Sequence, residues 1–268
     1  PAPASLAVLR AYAADQRGEA AAGRGRRLPE VDDRYRRYFR WAAERGQSGA
    51  EYLVLTAQWR TEHNGPCVAL EPNIVAYHLA EGIEHWNLWY HPRTTSGSAD
   101  LSMQVGSLVE VISGSCAGSR GRIRAVRQRP GSEDVVFDVA VLGGDGSAET
   151  CAVGTRAAAT GPSDGALLPA VASDALRPCG WDAVLQHVRI FLPNLADDEV
   201  VIFQNVPEFR SVPEVAHAHI FFCPRTADTR SELARLRACW RLRSPWAEHE
   251  RLSGRGAEVG FTAGACQK

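Results

Sequence analysis

Residues 211–225 read SVPEVAHAHIFFCPR, and the two histidines in this stretch, His217 and His219, sit one residue apart in an apolar, aromatic run. The run has the length and composition of a β-strand. On a strand, residues i and i+2 share a face, so both imidazoles project the same way. Two imidazoles on one face, with Asn205 and Ser211 upstream, suit the holding of a phosphate. One of them can also act as a nucleophile that takes a phosphoryl or nucleotidyl group. The plainer alternative is a pair of structural histidines.

Working outward, EVVIFQN before the pair reads as a strand, and GWDAVLQHVRIFLPN as a helix that becomes extended. After it, TRSELARLRACWRLRSPWAEHERL is an amphipathic helix capped by Thr229 or Ser231. Leu233, Leu236 and Trp240 mark its apolar side, and Arg230, Arg235, Arg237, Arg241 and Arg243 the other. Nearer the start, residues 29–59 carry a helical pattern. CVAL and HWNLWY then read as strands separated by a loop with Pro72, Asn73 and Gly82. In between, the composition shifts at about Thr94. The segment VGSLVEVISGSCAGSRGRIRAVRQ holds two alternating runs, 108–112 and 122–126, around a glycine-rich turn, and DVVFDVAVL is a further alternating strand. Short strands at this spacing predict a small barrel. A loose Ala/Gly/Pro stretch over about 154–178 follows.

Composition sets bounds. With a formal net charge of −1, nothing global favours nucleic acid or a membrane surface. Of the 30 basic residues only Lys268 is a lysine, and arginine suits phosphate and carboxylate partners. The seven cysteines form no C-x-x-C pair, which fits reduced thiols rather than a zinc knuckle or a redox dithiol. No apolar run reaches the roughly 20 residues of a membrane span, so no membrane insertion is expected. The Ala- and Arg-rich opening resembles the end of a transit sequence, although Asp15 and Glu19 interrupt it. Three imidazoles (His85, His217, His219) can in principle bind zinc. No cysteine or carboxylate converges on them, so neither a metal nor another cofactor is expected. Trp86, Trp89 and Tyr90 near His85 read as core.

SVPEVAHAHIFFCPR resembles the signature of the histidine-triad (HIT) superfamily, H-φ-H-φ-H-φ-φ followed by Pro-Arg. In the gap-free alignment His217 takes the first position, His219 the second, which is the family's nucleophile, and Phe221 the third. Asn73, Tyr77 and His85 match the family's upstream N-x-x-P-Y and H-x-φ-L-W elements, with Ala76 where proline is usual. Asn205, Ser211 and Val212 match its N…Q-S-V segment. The blocks GIEHWNLW and NVPEFRSVPEVAHAHIF resemble more closely a family of unknown function related to N-acetylglucosamine-induced proteins. The glycine-rich middle segment resembles a KOW motif, the strand–turn–strand of SH3-like barrels, through Gly106, Val109, Val111, Gly114, Gly118, Gly121 and Ile123.

The resemblances imply an α+β chain: a HIT-like antiparallel sheet with helices, interrupted by a small SH3-like β-barrel insertion. The expected divisions are an N-terminal extension, 1–30; a HIT-like domain, 31–95 and 180–252; an inserted barrel, 96–160; a linker, 161–179; and a tail, 253–268. Phenylalanine can neither donate a hydrogen bond nor pass a proton, so Phe221 removes the third triad group. The expectation is therefore a non-catalytic binding or scaffolding subunit of a larger assembly, an organellar ribonucleoprotein or ribosome being one candidate. The alternative is a nucleotide phosphohydrolase or nucleotidyl transferase with His219 as nucleophile beside His217. Asn73, His85, Asn205 and Ser211 are the expected phosphate or nucleotide contacts. Arg120, Arg122, Arg124, Arg127 and Arg129, five arginines in ten residues, are the expected contacts to RNA or a protein partner. Their plainer role is a charged, aggregation-resistant sheet edge. The compartments implied are the mitochondrial or another organellar matrix, or the cytoplasm.

Overall fold

The computed structural model describes residues 3–14, 29–61, 65–74, 76–95, 99–129, 131–132, 134–142, 167–205 and 212–253. The chain divides into two compact units, Pro1–Ala99 with His187–Lys268, and Asp100–Gln186. Among the described residues the strands form two open, five-stranded antiparallel sheets, one in each unit, and helices accompany them. The class is α+β.

In the discontinuous unit, helix α1 (Leu6–Ala14) precedes α2 (Pro29–Ala43) and α3 (Gly49–Thr56). The helical pattern over 29–59 breaks where Gly46 turns the chain at φ 69° and Ser48 starts α3 afresh. The Ser48 hydroxyl accepts the Glu51 N–H at 3.1 Å, and the Glu51 carboxylate accepts the Ser48 N–H at 2.7 Å, a reciprocal cap. The sheet follows: β1 (Arg60–Thr61), β2 (Cys67–Pro72) and β3 (Glu84–Tyr90).

The compact middle unit contains β4 (Leu108–Val111), β5 (Arg120–Gln128), β6 (Val135–Val141), β7 (Leu167–Ala172) and β8 (Leu176–Pro178), in the order β7-β6-β5-β4-β8. The stretch read as loose over 154–178, and as a linker over 161–179, in fact holds β7 and β8, which form the two edges of this sheet. The alternation there is blurred because an edge strand has only one neighbour to satisfy, and Pro169 marks β7 as an edge. Val109, Val111, Ile123, Phe137, Val139 and Leu176 form one core on the same side of the sheet. Gly121 is required by close approach, since a Cβ there would stand 2.5 Å from the Val139 side chain and 2.7 Å from the Ala140 carbonyl oxygen.

After α4 (Asp182–Arg189) the chain returns to the first sheet with β9 (Val200–Phe203) and β10 (His217–Phe222), completing the order β1-β2-β3-β10-β9. The remaining helices are α5 (Ala227–Arg243) and α6 (Pro245–Leu252). The terminal helix thus starts one turn earlier than Thr229 or Ser231 and is two helices. Thr226 caps α5 by accepting the Thr229 N–H at 3.1 Å, and Pro245 ends it and opens α6 under a Ser244 cap. The buried Glu199 carboxylate accepts from the Arg225 N–H at 2.5 Å, the Thr226 N–H at 3.0 Å and the Thr229 hydroxyl at 3.0 Å. The entry to α5 is therefore fixed by a charge from outside the helix.

Candidate functional site

The pairing register decides which side chains meet. Ala69–Trp89–His217, Glu71–Asn87–His219–Phe203 and His85–Phe221–Val201 form successive cross-strand rows on one face of the first sheet. The opposite face is apolar, with rows Leu70–Leu88–Ala218 and Pro72–Trp86–Ile220–Ile202. The polar groups thus collect on one face because each lies an even number of residues from the next along its own strand.

The centre is a pair of imidazoles. His85 Nε2 lies 2.9 Å from His219 Nδ1. Asn73 Nδ2 stands 3.1 Å from the same His85 nitrogen and 3.3 Å from Asn87 Oδ1. Asn205 Nδ2 lies 2.8 Å from His219 Nε2, so both ring nitrogens of His219 are engaged. Asn73, His85, Asn87 and His219 are all buried. His217 Nδ1 donates to the Val215 carbonyl oxygen at 2.9 Å, which fixes that ring's proton on Nδ1 because a carbonyl only accepts.

The hydrogen bonds couple the tautomers of the two rings. If the Asn73 and Asn205 amide nitrogens donate to His85 Nε2 and His219 Nε2, His219 Nδ1 carries the shared proton and His85 holds its own on Nδ1, facing the Tyr77 N–H at 3.4 Å, donor against donor. Placing the proton on His85 Nε2 removes that conflict, but it moves the His219 proton to Nε2 and requires the Asn73, Asn87 and Asn205 amides all to turn.

Aromatic rings enclose this pair. Phe221 lies directly across from His85, with ring centroids 4.3 Å apart and planes at 22°. Tyr77 packs at 4.9 Å from His85, Phe203 at 5.2 Å from His219, and Trp89 at 4.5 Å from His217. Trp86, Trp89 and Tyr90 are buried in the domain. Glu84 accepts from Trp86 Nε1 at 2.9 Å and pairs with Arg237.

Glu71, in the same row as Asn87 and His219, adds charge chemistry. Burial pushes its carboxyl up from 4.5 to about 7, while Arg243 and the Gln58 N–H pull it down by less. Arg243 Nη2 is 4.0 Å from Glu71 Oε1. Neither Glu71 nor Asn87 stands out by sequence motif. The signal available was positional: a charged residue inside a short buried strand, two residues from Ala69 and two before Asn73.

The structure brings Asn73, His85, Asn205 and His219 into one hydrogen-bonded cluster, with His217 beside it at a ring distance of 5.4 Å from His219. Ser211 lies outside the described residues. Among the described residues no group of three or more His, Cys, Asp or Glu side chains is arranged to hold a metal ion.

The arginines of β5 belong to the middle unit. Arg122 donates to the Gly106 carbonyl at 2.9 Å and lies 3.5 Å from Asp182. Arg127 pairs with the buried Asp138, and Arg129 lies 3.7 Å from Asp134. Arg120 and Arg124 are exposed. The strand therefore presents far less net positive charge than five arginines suggest. Among the described residues no helix is long and apolar enough to cross a membrane.

No family model and no curated protein matches the chain. A solved structure described as the crystal structure of HTC1 aligns at 13% identity and a TM-score of 0.39, over 84% of this chain and 93% of that one. A likeness so remote carries nothing on fold or activity.

Proposed function

We propose that the chain is a non-catalytic binding or scaffolding subunit of a larger assembly, built on a degenerate HIT-like domain with an SH3-like insertion. One observation carries the reading: both ring nitrogens of the buried His219 are engaged, by His85 and by Asn205. A nucleophile needs an available lone pair and an approach path, and at rest this imidazole is buried with both nitrogens occupied. Phe221 supports the same reading, since it stacks on His85 where a third imidazole would be required to orient a phosphate. The site is then one that holds a mononucleotide without turning it over. Protein partners fit the middle unit better than RNA, because three of its five clustered arginines face carboxylates.

One feature favours the competing reading of a nucleotidyl-transfer enzyme. His85 reaches His219 from the neighbouring strand and could orient it without the third triad group. Incubation with adenosine 5′-phosphoramidate separates the two. The expected result is no release of AMP and no adduct. A covalent adenylyl group on His219, missing in His219→Ala, would overturn the non-catalytic reading. Native size fractionation tests the scaffolding half: migration in a large, RNase-resistant fraction is expected, and migration as a free monomer would refute it.

A further inference from the structure

The apolar side of the imidazole site is covered by the N-terminal segment of the same chain. Leu9 of α1 is fully buried against Phe221 and Val201, with Phe203 and Tyr77 in the same cluster. The rings of Phe203 and Tyr77 lie nearly parallel to Phe221, at 16° and 15°. Ahead of α1, Ala4 pins the loop between β2 and β3. Its N–H donates to the His78 carbonyl at 2.8 Å, and its carbonyl accepts the Ala80 N–H at 3.0 Å. That loop carries Tyr77, whose ring packs on His85 and whose N–H faces His85 Nδ1. On the other side, Arg10 donates to the Asp198 carbonyl at 3.0 Å, just before β9. One short segment therefore bears on both walls of the site.

We propose that residues 4–14 form an intramolecular strap that occupies the aromatic side of the imidazole site. A ligand combining a planar heterocycle with an anionic group must displace the strap to enter. The proposal rests on the reading of this site as one that binds a mononucleotide. Two features make displacement feasible. A nine-residue helix is too short to be stable alone, so α1 persists only while docked. Among the described side chains of α1, Leu9 is the fully buried anchor. Because the strap belongs to the same chain it stays at a high effective concentration, so a ligand has to outcompete it.

The test uses the full chain in wild type, Leu9→Ala and Ala4→Pro, the second removing the N–H that binds the His78 carbonyl. Leu233→Ala, a fully buried position on α5, controls for general loosening. Carbethoxylation by diethyl pyrocarbonate, mapped at His85 and His219 by mass spectrometry, reads accessibility. Titration with AMP reads binding. Both strap variants should be modified about tenfold faster at the two imidazoles and bind AMP about tenfold more tightly, while Leu233→Ala matches wild type. Unchanged modification in both variants, or equal acceleration in the control, overturns the strap. Faster modification with no AMP binding in any variant supports the strap and refutes the mononucleotide reading instead.

Discussion

Glu71 offers the sharpest test of the site's electrostatics. Its carboxyl is buried at the end of a sheet row, and burial raises it from 4.5 to about 7 despite Arg243 at 4.0 Å. A raised folded value means that the folded chain binds this proton more tightly than the unfolded chain does. The associated stability is fully present below pH 4.5, falls as the pH rises between 4.5 and 7, and is gone above that window. At about 1.4 kcal/mol per factor of ten in affinity, the full span comes to about 3 kcal/mol. Most of it, about 2–3 kcal/mol, is traversed between pH 5 and pH 8.5.

Glu71→Gln removes the titration and nearly keeps the shape, so it isolates this contribution from every other ionisable group. Urea unfolding of both proteins at the two pH values, followed by tryptophan fluorescence, gives the difference directly. All tryptophans but Trp181 lie in the unit that contains Glu71. The variant's stability relative to wild type should improve by about 2–3 kcal/mol on going from pH 5 to pH 8.5. In a chain of this size that corresponds to a shift of roughly 5–10 °C in Tm. A relative change under about 0.5 kcal/mol would refute the reasoning. It would mean that Arg243 compensates the buried carboxylate fully, despite a separation beyond hydrogen-bonding distance.

The other expectations concern fixed points of the fold. Burial raises the Glu199 carboxyl, but hydrogen bonds from Thr226, Arg225, Thr229 and Ala196 outweigh it and hold the group below its ordinary value. Glu199→Gln should therefore cost about 2–3 kcal/mol at pH 7, a loss that fades as acid protonates the wild-type group; urea melts at pH 7 and pH 3 show both. Phe221→His would place an imidazole among Leu9, Val201 and Phe203; it should lower stability by about 2 kcal/mol and produce no phosphoramidate turnover. Ala170 sits at φ 54°, the one non-glycine residue with positive φ among those described, with its N–H donating to Asp138 at 3.1 Å. Ala170→Gly should raise the middle unit's stability by about 1 kcal/mol, and Asp138→Ala should lower it by about 2 kcal/mol, both measured by calorimetry.

Strands β2, β3, β4, β5, β6, β9 and β10 were legible because their alternation or continuous apolarity survives in the sequence. β10 is buried on both faces, so HAHIFF reads as a strand from its β-branched and aromatic content rather than from period. The family resemblance already set His85 among the contacts of the His219 site, but the register that brings them together is encoded by no local pattern. It is fixed by Phe221 pairing with His85 and His219 with Asn87. Glu71 stayed invisible for the same reason: its significance comes from a strand to which it is not adjacent in sequence. The arginines misled in the opposite sense. Their acidic partners Asp134, Asp138 and Asp182 lie at 5 to 60 residues' separation, and counting charge along β5 alone cannot show neutralisation. Thr226 was passed over as the cap because Thr229 also fits the cap pattern. The carboxylate that makes Thr226 work comes from Glu199, outside the helix.

The two faces of the first sheet pose an energetic question that bears on the site's purpose. One face is packed with Leu70, Leu88, Ile202 and Ile220, and could have served as the pattern for the other. Instead the other face buries Glu71, Asn73, His85, Asn87 and His219 in adjoining positions. A buried polar network contributes less than well-packed apolar side chains and is costly wherever a partner is missing. Folding alone therefore gives no reason to retain it, and the raised Glu71 carboxyl shows that part of that cost is still present. The imidazole pair recovers its share only through hydrogen bonds that engage both nitrogens of His219. A ligand that bonds to Asn205 must compete with the second of those contacts, so its binding would free His219 Nε2. On the non-catalytic reading, nothing follows from that release. On the enzymatic reading, His219 would become a nucleophile only with the ligand in place, which is why the phosphoramidate adduct, rather than the resting geometry, has to decide between them.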